Sequence, residues 1–132
     1  MYLDHAATTA MRPEAVSAYL RGIEEANANA SGTHGAARAA KNALEQARER
    51  AAELLGSSRP DEIVFTSGGT ESDNLAVIGA ARASGRSDVL VSAIEHKAVL
   101  EAASHLESIG CRLSMVGCDH NGVIRPAAVA AA

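Results

Sequence analysis

A chain of 132 residues with a formal net charge of −4 has room for one modest core and gives no electrostatic support to a nucleic-acid or anionic-membrane partner. Its two cysteines, Cys111 and Cys118, form no CxxC pair, the first residues lack the charged and apolar regions of a secretory signal, and no apolar run reaches transmembrane length. These features speak against a disulfide framework and a membrane-spanning role, and a reducing, cytoplasmic setting is expected.

The chain opens with a short extended piece around Tyr2–Leu3. Pro13 then suits the first turn of a helix, and Val16, Tyr19, Leu20 and Ile23 follow at the spacing of one helical face. The stretch from Asn27 to Thr33 breaks that pattern and reads as a loop. A longer helix is expected from about Gly35 to Leu55, with Ala40, Leu44, Ala47, Ala51 and Leu54 as its buried stripe and Gly56 ending it. Glu62–Thr66 is a β-rich run, followed by a Gly turn and a helix through about Arg82. Val89–Ser92 reads as the next strand, residues 95 to 109 as a helix carrying Val99, Ala103 and Leu106 on one face, and Arg112–Val116 as a further strand. Pro126 starts a last helix. Strands that alternate with helices from residue 62 onward indicate an α/β layer with a mainly parallel sheet. Aromatic side chains are limited to Tyr2, Tyr19 and Phe65, so the core is expected to be built from Ala, Leu, Val and Ile. At about 25 cal/mol per Å² of buried apolar surface, such a core is adequate within a larger protein and weak alone.

Two segments carry chemistry. Thr66–Leu75, reading TSGGTESDNL, places a Gly-containing turn directly before a helix. Free N–H groups and the positive end of the helix dipole converge at such a place, which favours an anion. Gly68 and Gly69 allow close approach, and the Thr70 hydroxyl adds a donor. The same residues also describe a capped Gly turn with no ligand, and they match neither a Walker A loop nor GxGxxG. Ser92–His96, reading SAIEH, puts His96 where a strand gives way to a helix. Ligands of open α/β sheets gather at the carboxyl ends of strands, so His96 and Thr70 are candidates for one crevice. A His there can stack a flat ring or move a proton near neutral pH; a solvent-facing His at a helix start is the alternative.

Taken together, YLDHAATT at 2–9, TSGGTESDNL at 66–75 and SAIEH at 92–96 resemble the cysteine desulfurase branch of the class V aminotransferases, in order and in interval. The loop NASGTH at 29–34, with Arg38, resembles a fourth family segment. The resemblance runs from Tyr2 to the Asn121–Gly122 turn. Ala30 stands where the family usually has Pro, Ala37 where Gly is usual, and Asp73 where Asn is common.

The resemblance implies a fold type I pyridoxal-phosphate enzyme, present here as its N-terminal portion. Residues 1–25 would contribute to the small domain, and residues 26–132 would form the first part of the large cofactor-binding domain. Gly69 and Thr70 would bind the phosphate of pyridoxal 5′-phosphate. His96 would stack on the pyridine ring and take part in proton transfer. Asp4–Thr8 would lie near the substrate entrance, and His34 and Arg38 would shape a loop and helix near a dimer interface. The implied reaction converts L-cysteine to L-alanine and passes sulfur to an enzyme Cys persulfide, for an iron–sulfur scaffold or another acceptor. Partners implied are a second copy in a homodimer and that sulfur acceptor, with no nucleic acid and no membrane.

The family's Schiff-base Lys and persulfide Cys have no match here: Lys41 and Lys97, and Cys111 and Cys118, stand at other positions. The chain alone is therefore expected to be inactive, and a complementary C-terminal chain is one way to complete it. A selenocysteine lyase, another C–S lyase and a non-catalytic split or truncated module remain alternatives. No HxxxH-type pairing joins His5, His34, His96, His105 and His120, so no metal is expected.

Overall fold

The structure, a computed structural model, describes residues 1–132. The chain divides into two compact units, Met1–Val64 and Phe65–Ala132.

The first unit is helical. Helix α1 spans Pro13–Glu25 and starts on Pro13, whose missing N–H costs nothing in a first turn. Its apolar face, including Val16, Tyr19, Leu20 and Ile23, is exposed. Helix α2 spans Gly35–Leu55. His34 caps it, with Nδ1 accepting the Ala37 N–H at 3.3 Å. Gly56, at φ 69°, ends it in the left-handed region, and its N–H returns to the Ala52 and Glu53 carbonyls. The loop before α2 is tight. A Cβ on Gly32 would lie 2.9 Å from Ala37 Cβ and 3.3 Å from the Asn29 carbonyl oxygen. Arg38 closes this loop by donating to the Thr33 carbonyl at 2.7 Å. A single 3-10 turn, Pro60–Glu62, follows α2.

Two expectations need correction in this unit and at its end. The buried residues of α2 are Ala37, Ala40 and Ala52, whereas Leu44 and Leu54 of the expected stripe are exposed. In a helix this rich in alanine the hydrophobic pattern points in several directions at once, so packing chooses the face. The β-rich run 62–66 forms no strand. Ile63 has extended backbone angles, φ −90° and ψ 118°, but its carbonyl accepts the Arg48 guanidinium, and Val64 and Phe65 are exposed. Extended residues become a strand only when a neighbouring strand takes their N–H and C=O groups.

The second unit is a βαβ arrangement preceded and followed by helices. Helix α3 spans Gly69–Ser84 and ends at Gly85, φ 64°. Strand β1 is Asp88–Ser92, helix α4 is Lys97–Ser108, strand β2 is Arg112–Val116 and helix α5 is Pro126–Ala131. The strands pair in parallel, from Asp88 opposite Arg112 to Ser92 opposite Val116. The ladder extends past both ends, through Arg112 N–H to the Ser87 carbonyl at 2.6 Å and Ala93 N–H to the Val116 carbonyl at 2.8 Å. Helix α4 packs on both strands and on α3. It buries Ala98, Ala102 and Leu106 at i, i+4 and i+8, with Ala103 beside them. No helix in the chain is long and apolar enough to cross a membrane.

Six of the eight buried apolar residues are alanine, and Leu106 is the one large side chain that is fully buried. Truncating Leu106 should therefore be the costliest single deletion here. Leu106→Ala is expected to destabilise by about 2–5 kcal/mol, read as a lowered denaturant midpoint at unchanged m-value.

The turn between β2 and α5 is organised by one carboxylate. Asp119 Oδ1 accepts the Asn121 and Val123 N–H groups at 3.0 and 3.1 Å, and Oδ2 accepts from Arg125. The Val123 and Asn121 amides, with a smaller part from Arg125, hold this carboxyl below its ordinary value of 3.8. Its contribution to stability is thus present above that ordinary value and lost as pH falls through the lowered folded one. Asp119→Asn should remove this part of the acid limb, seen as a shallower loss of thermal stability below pH 4 (about the ordinary Asp range). An acid limb identical to that of the parent protein would count against the arrangement.

Candidate active site

The N-terminus of α3 is built from a turn without bulky side chains. The first intrahelical acceptor is the Gly68 carbonyl, which takes the Ser72 N–H at 3.1 Å. The amides of Gly69, Thr70 and Glu71 come before that ladder and have no acceptor within the helix. A Cβ at Gly68 or Gly69 would meet no atom within 4 Å, so the backbone lies open to an approaching group. Gly68 itself has extended angles, φ 165° and ψ −179°; what glycine supplies here is room. Glu71 lies in the first turn, where its charge complements the dipole.

His96 is the N-cap of α4. Its backbone is extended, at φ −60° and ψ 146°, and its Nδ1 accepts the Ala98 N–H at 3.1 Å. An Nδ1 that accepts carries no proton, so a neutral ring holds its proton on Nε2. The residues before it are also fixed: Ser92 Oγ, at the end of β1, donates to Glu95 Oε1 at 2.8 Å. The ring is therefore held at the helix start, and the connection that precedes it is fixed at the strand end.

Thr70 and His96 line the same cavity, about 290 Å³ in volume, together with Asn74, Lys97, Ala98 and Glu101. The start of α3 thus lies at the carboxyl end of β1, the edge at which ligands of open α/β sheets are bound. Gly69 sits one residue before Thr70 and does not line the cavity wall. A larger concavity of about 420 Å³ is lined by Val77, Ala81, Val89 and Leu90, with Arg86 and Asp88 also on its wall. It is a mostly apolar trough in which no set of polar groups converges, so the smaller cavity is the better candidate.

Besides Ala98, three polar lining residues are not among the site residues expected from the sequence: Asn74, Lys97 and Glu101. Asn74 donates from Nδ2 to the Thr70 carbonyl at 2.8 Å. The sequence signal for them is helical spacing, since Thr70 and Asn74, and Lys97 and Glu101, are i, i+4 pairs. The Asp4–Thr8 segment is a turn in which Asp4 Oδ1 accepts the Ala7 N–H at 3.2 Å. His34 and Arg38 fix the loop before α2, as described above. No group of three or more His, Cys, Asp and Glu side chains gathers in the chain. Cys111 is half-buried and Cys118 exposed, both as free thiols.

Comparison with known proteins agrees with this architecture. The family model for aminotransferase class-V matches residues 1–132. The cysteine desulfurase IscS of Dictyoglomus turgidum is 40% identical over 128 residues, 96% of this chain and 32% of that protein. The IscS-like cysteine desulfurase of Mycobacterium tuberculosis is 46% identical over 110 residues, 80% of this chain and 28% of its own length. Among solved structures, SspA in complex with cysteine matches with a TM-score of 0.85 at 38% identity, over 99% of this chain and 38% of that one. A NifS-like protein matches with a TM-score of 0.83 at 33% identity, over 98% and 36% respectively. The chain spans about a third of the length of these relatives. With the family model matching along its whole length, the chain belongs to the class V aminotransferases.

Proposed function

We propose that this chain is the N-terminal part of a pyridoxal-phosphate-dependent cysteine desulfurase, which converts L-cysteine to L-alanine and passes the sulfur to an enzyme Cys persulfide. The observation that carries this reading is the pairing of Thr70 and His96 on one cavity. Relatives named cysteine desulfurase, about 40% identical over nearly all of the chain, support it.

The residues present fit a flat cofactor bearing a phosphate. The amides of Gly69 and Thr70, open because Gly68 and Gly69 carry no side chain, would receive the phosphate, and the Thr70 hydroxyl would add a donor. His96 offers a planar ring fixed at its Nδ1 edge, which would lie against the pyridine. When bound, pyridoxal phosphate supplies an electron sink for breaking bonds around the amino-acid Cα. His96 then holds a proton at Nε2, the nitrogen left free by the cap, where it can be exchanged with substrate. Releasing a proton from Nε2 alone would leave the ring anionic, so His96 gives up that proton only when Nδ1 takes one up in its place, which requires the Ala98 N–H contact to open. This makes it a relay rather than a lasting store.

The same reading assigns the remaining parts. Residues 1–25 contribute to a small domain, and residues 26–132 form the first part of the cofactor-binding domain. The amine that anchors the cofactor and the thiol that takes the sulfur belong to residues outside this chain. The working protein is a homodimer in the cytoplasm, and its sulfur goes to an acceptor such as an iron–sulfur scaffold.

His96 has two duties, capping α4 and facing the cavity, and they can be separated. Asn is among the best N-caps, so His96→Asn should keep α4 intact. In the complete enzyme this variant is expected to lose about 10²–10⁴-fold in alanine formation from cysteine, with an unfolding midpoint close to that of the parent. Full turnover in His96→Asn would remove the ring from the mechanism. A complete protein that forms no alanine from cysteine would end the desulfurase reading.

A further inference from the structure

The turn that opens α3 is held by its own side chains. Thr66 Oγ1 and Ser72 Oγ lie 2.6 Å apart, and each is 3.2 Å from the Gly68 carbonyl oxygen. On the other side of the turn, Glu71 Oε2 accepts both the Ser67 N–H at 2.6 Å and the Ser67 hydroxyl at 2.7 Å. None of these contacts uses the amides of Gly69 or Thr70. The side chains of Thr66, Ser67, Glu71 and Ser72 are thus engaged with one another, with the Ser67 amide and with the Gly68 carbonyl. The two amides that would meet a phosphate are left uncovered.

We propose that Glu71 is a positioning residue for the phosphate cradle: its carboxylate clamps Ser67 and so fixes the direction of the Gly69 and Thr70 amides. The inference rests on the cofactor reading above. Two donors on one carboxylate oxygen make a charge-assisted pair, stronger than the neutral contacts on the Thr66–Ser72 side. Ser67 donation, from hydroxyl and then amide, holds the Glu71 carboxyl below its ordinary value, so the clamp stays ionised at neutral pH. Glu71 does not line the cavity, which keeps its oxygens off the face that a phosphate would approach.

Charge alone argues the other way, because a carboxylate near a phosphate repels it. If Glu71 acted only as a charge, every neutral substitution would tighten phosphate binding. If it acts as a clamp, the acceptor oxygen and its reach matter. Glu71→Gln keeps an acceptor oxygen at the same reach and removes the charge. Glu71→Asp keeps the charge and is one methylene too short to reach Ser67. Glu71→Ala removes both.

The test uses the apo form of the complete protein, titrated with pyridoxal phosphate and with pyridoxal, which lacks the phosphate. The readout is the ratio of the two affinities, with circular dichroism as the check on folding. Glu71→Ala and Glu71→Asp are expected to lower the ratio by about tenfold, the scale of a lost hydrogen bond to a charged group. Glu71→Gln should stay within about threefold of the parent, by the same scale. A ratio unchanged in Glu71→Ala and Glu71→Asp would overturn the positioning role, as would a rise in Glu71→Ala and Glu71→Gln alike. Equal affinity of the unsubstituted protein for pyridoxal phosphate and pyridoxal would overturn the cofactor reading itself, and the clamp with it.

Discussion

The parallel ladder between Asp88–Ser92 and Arg112–Val116 is the constraint on which the second unit depends. Parallel neighbours need a crossover, and here the crossover is α4. Once the register sets Ser92 opposite Val116, both strands end at one edge. The residue that starts α4 must then lie just beyond that edge. This is why His96, an exposed residue in a short connection, occupies a defined position. The ladder fixes the strand end, Ser92 and Glu95 fix the connection, and the Ala98 amide fixes the ring.

Alanine makes this arrangement possible and also keeps it modest. Ala98, Ala102 and Ala103 let α4 approach its neighbours closely, and small side chains order at little entropic cost. They also bury little area, so Leu106 and Val116 supply most of the large aliphatic burial in this unit. The first unit has the same character, with Ala37, Ala40 and Ala52 buried and the apolar side chains of α1 exposed.

Much of this was legible in the sequence where local chemistry decides the outcome. The bounds of α2 follow from a polar loop on one side and Gly56 on the other. Pro13 and Pro126 mark helix starts, and β1, α4 and β2 follow from alternating apolar runs and turns. Thr70 and His96 were legible as partners because each ends a loop at a strand or helix junction. What stayed illegible depends on partners distant in sequence. Residues 62–66 have strand-forming side chains, yet a strand is defined by its neighbour, and the Ile63 carbonyl is taken by Arg48. The buried face of α2 is not legible in the sequence because alanine fits any face. Asn74, Lys97 and Glu101 are ordinary helix-surface residues in the sequence, and only the approach of α3 to α4 turns them into a cavity wall.

The connection from β1 to α4 has a consequence for how this protein tolerates change in length. Surface connections usually accept insertions and deletions with little penalty. Residues 93–96 are exposed and would pass as such a site. Yet the strand end is locked by the ladder and the helix start by packing, so the number of residues between them sets which one becomes the cap. One residue more or fewer would either strain this span or shift α4 by one helical step, about 100°, and turn the imidazole away with it. The loop is open to changes of side chain at Ala93 and Ile94 and closed to changes of length, which makes chain length there a structural parameter in its own right.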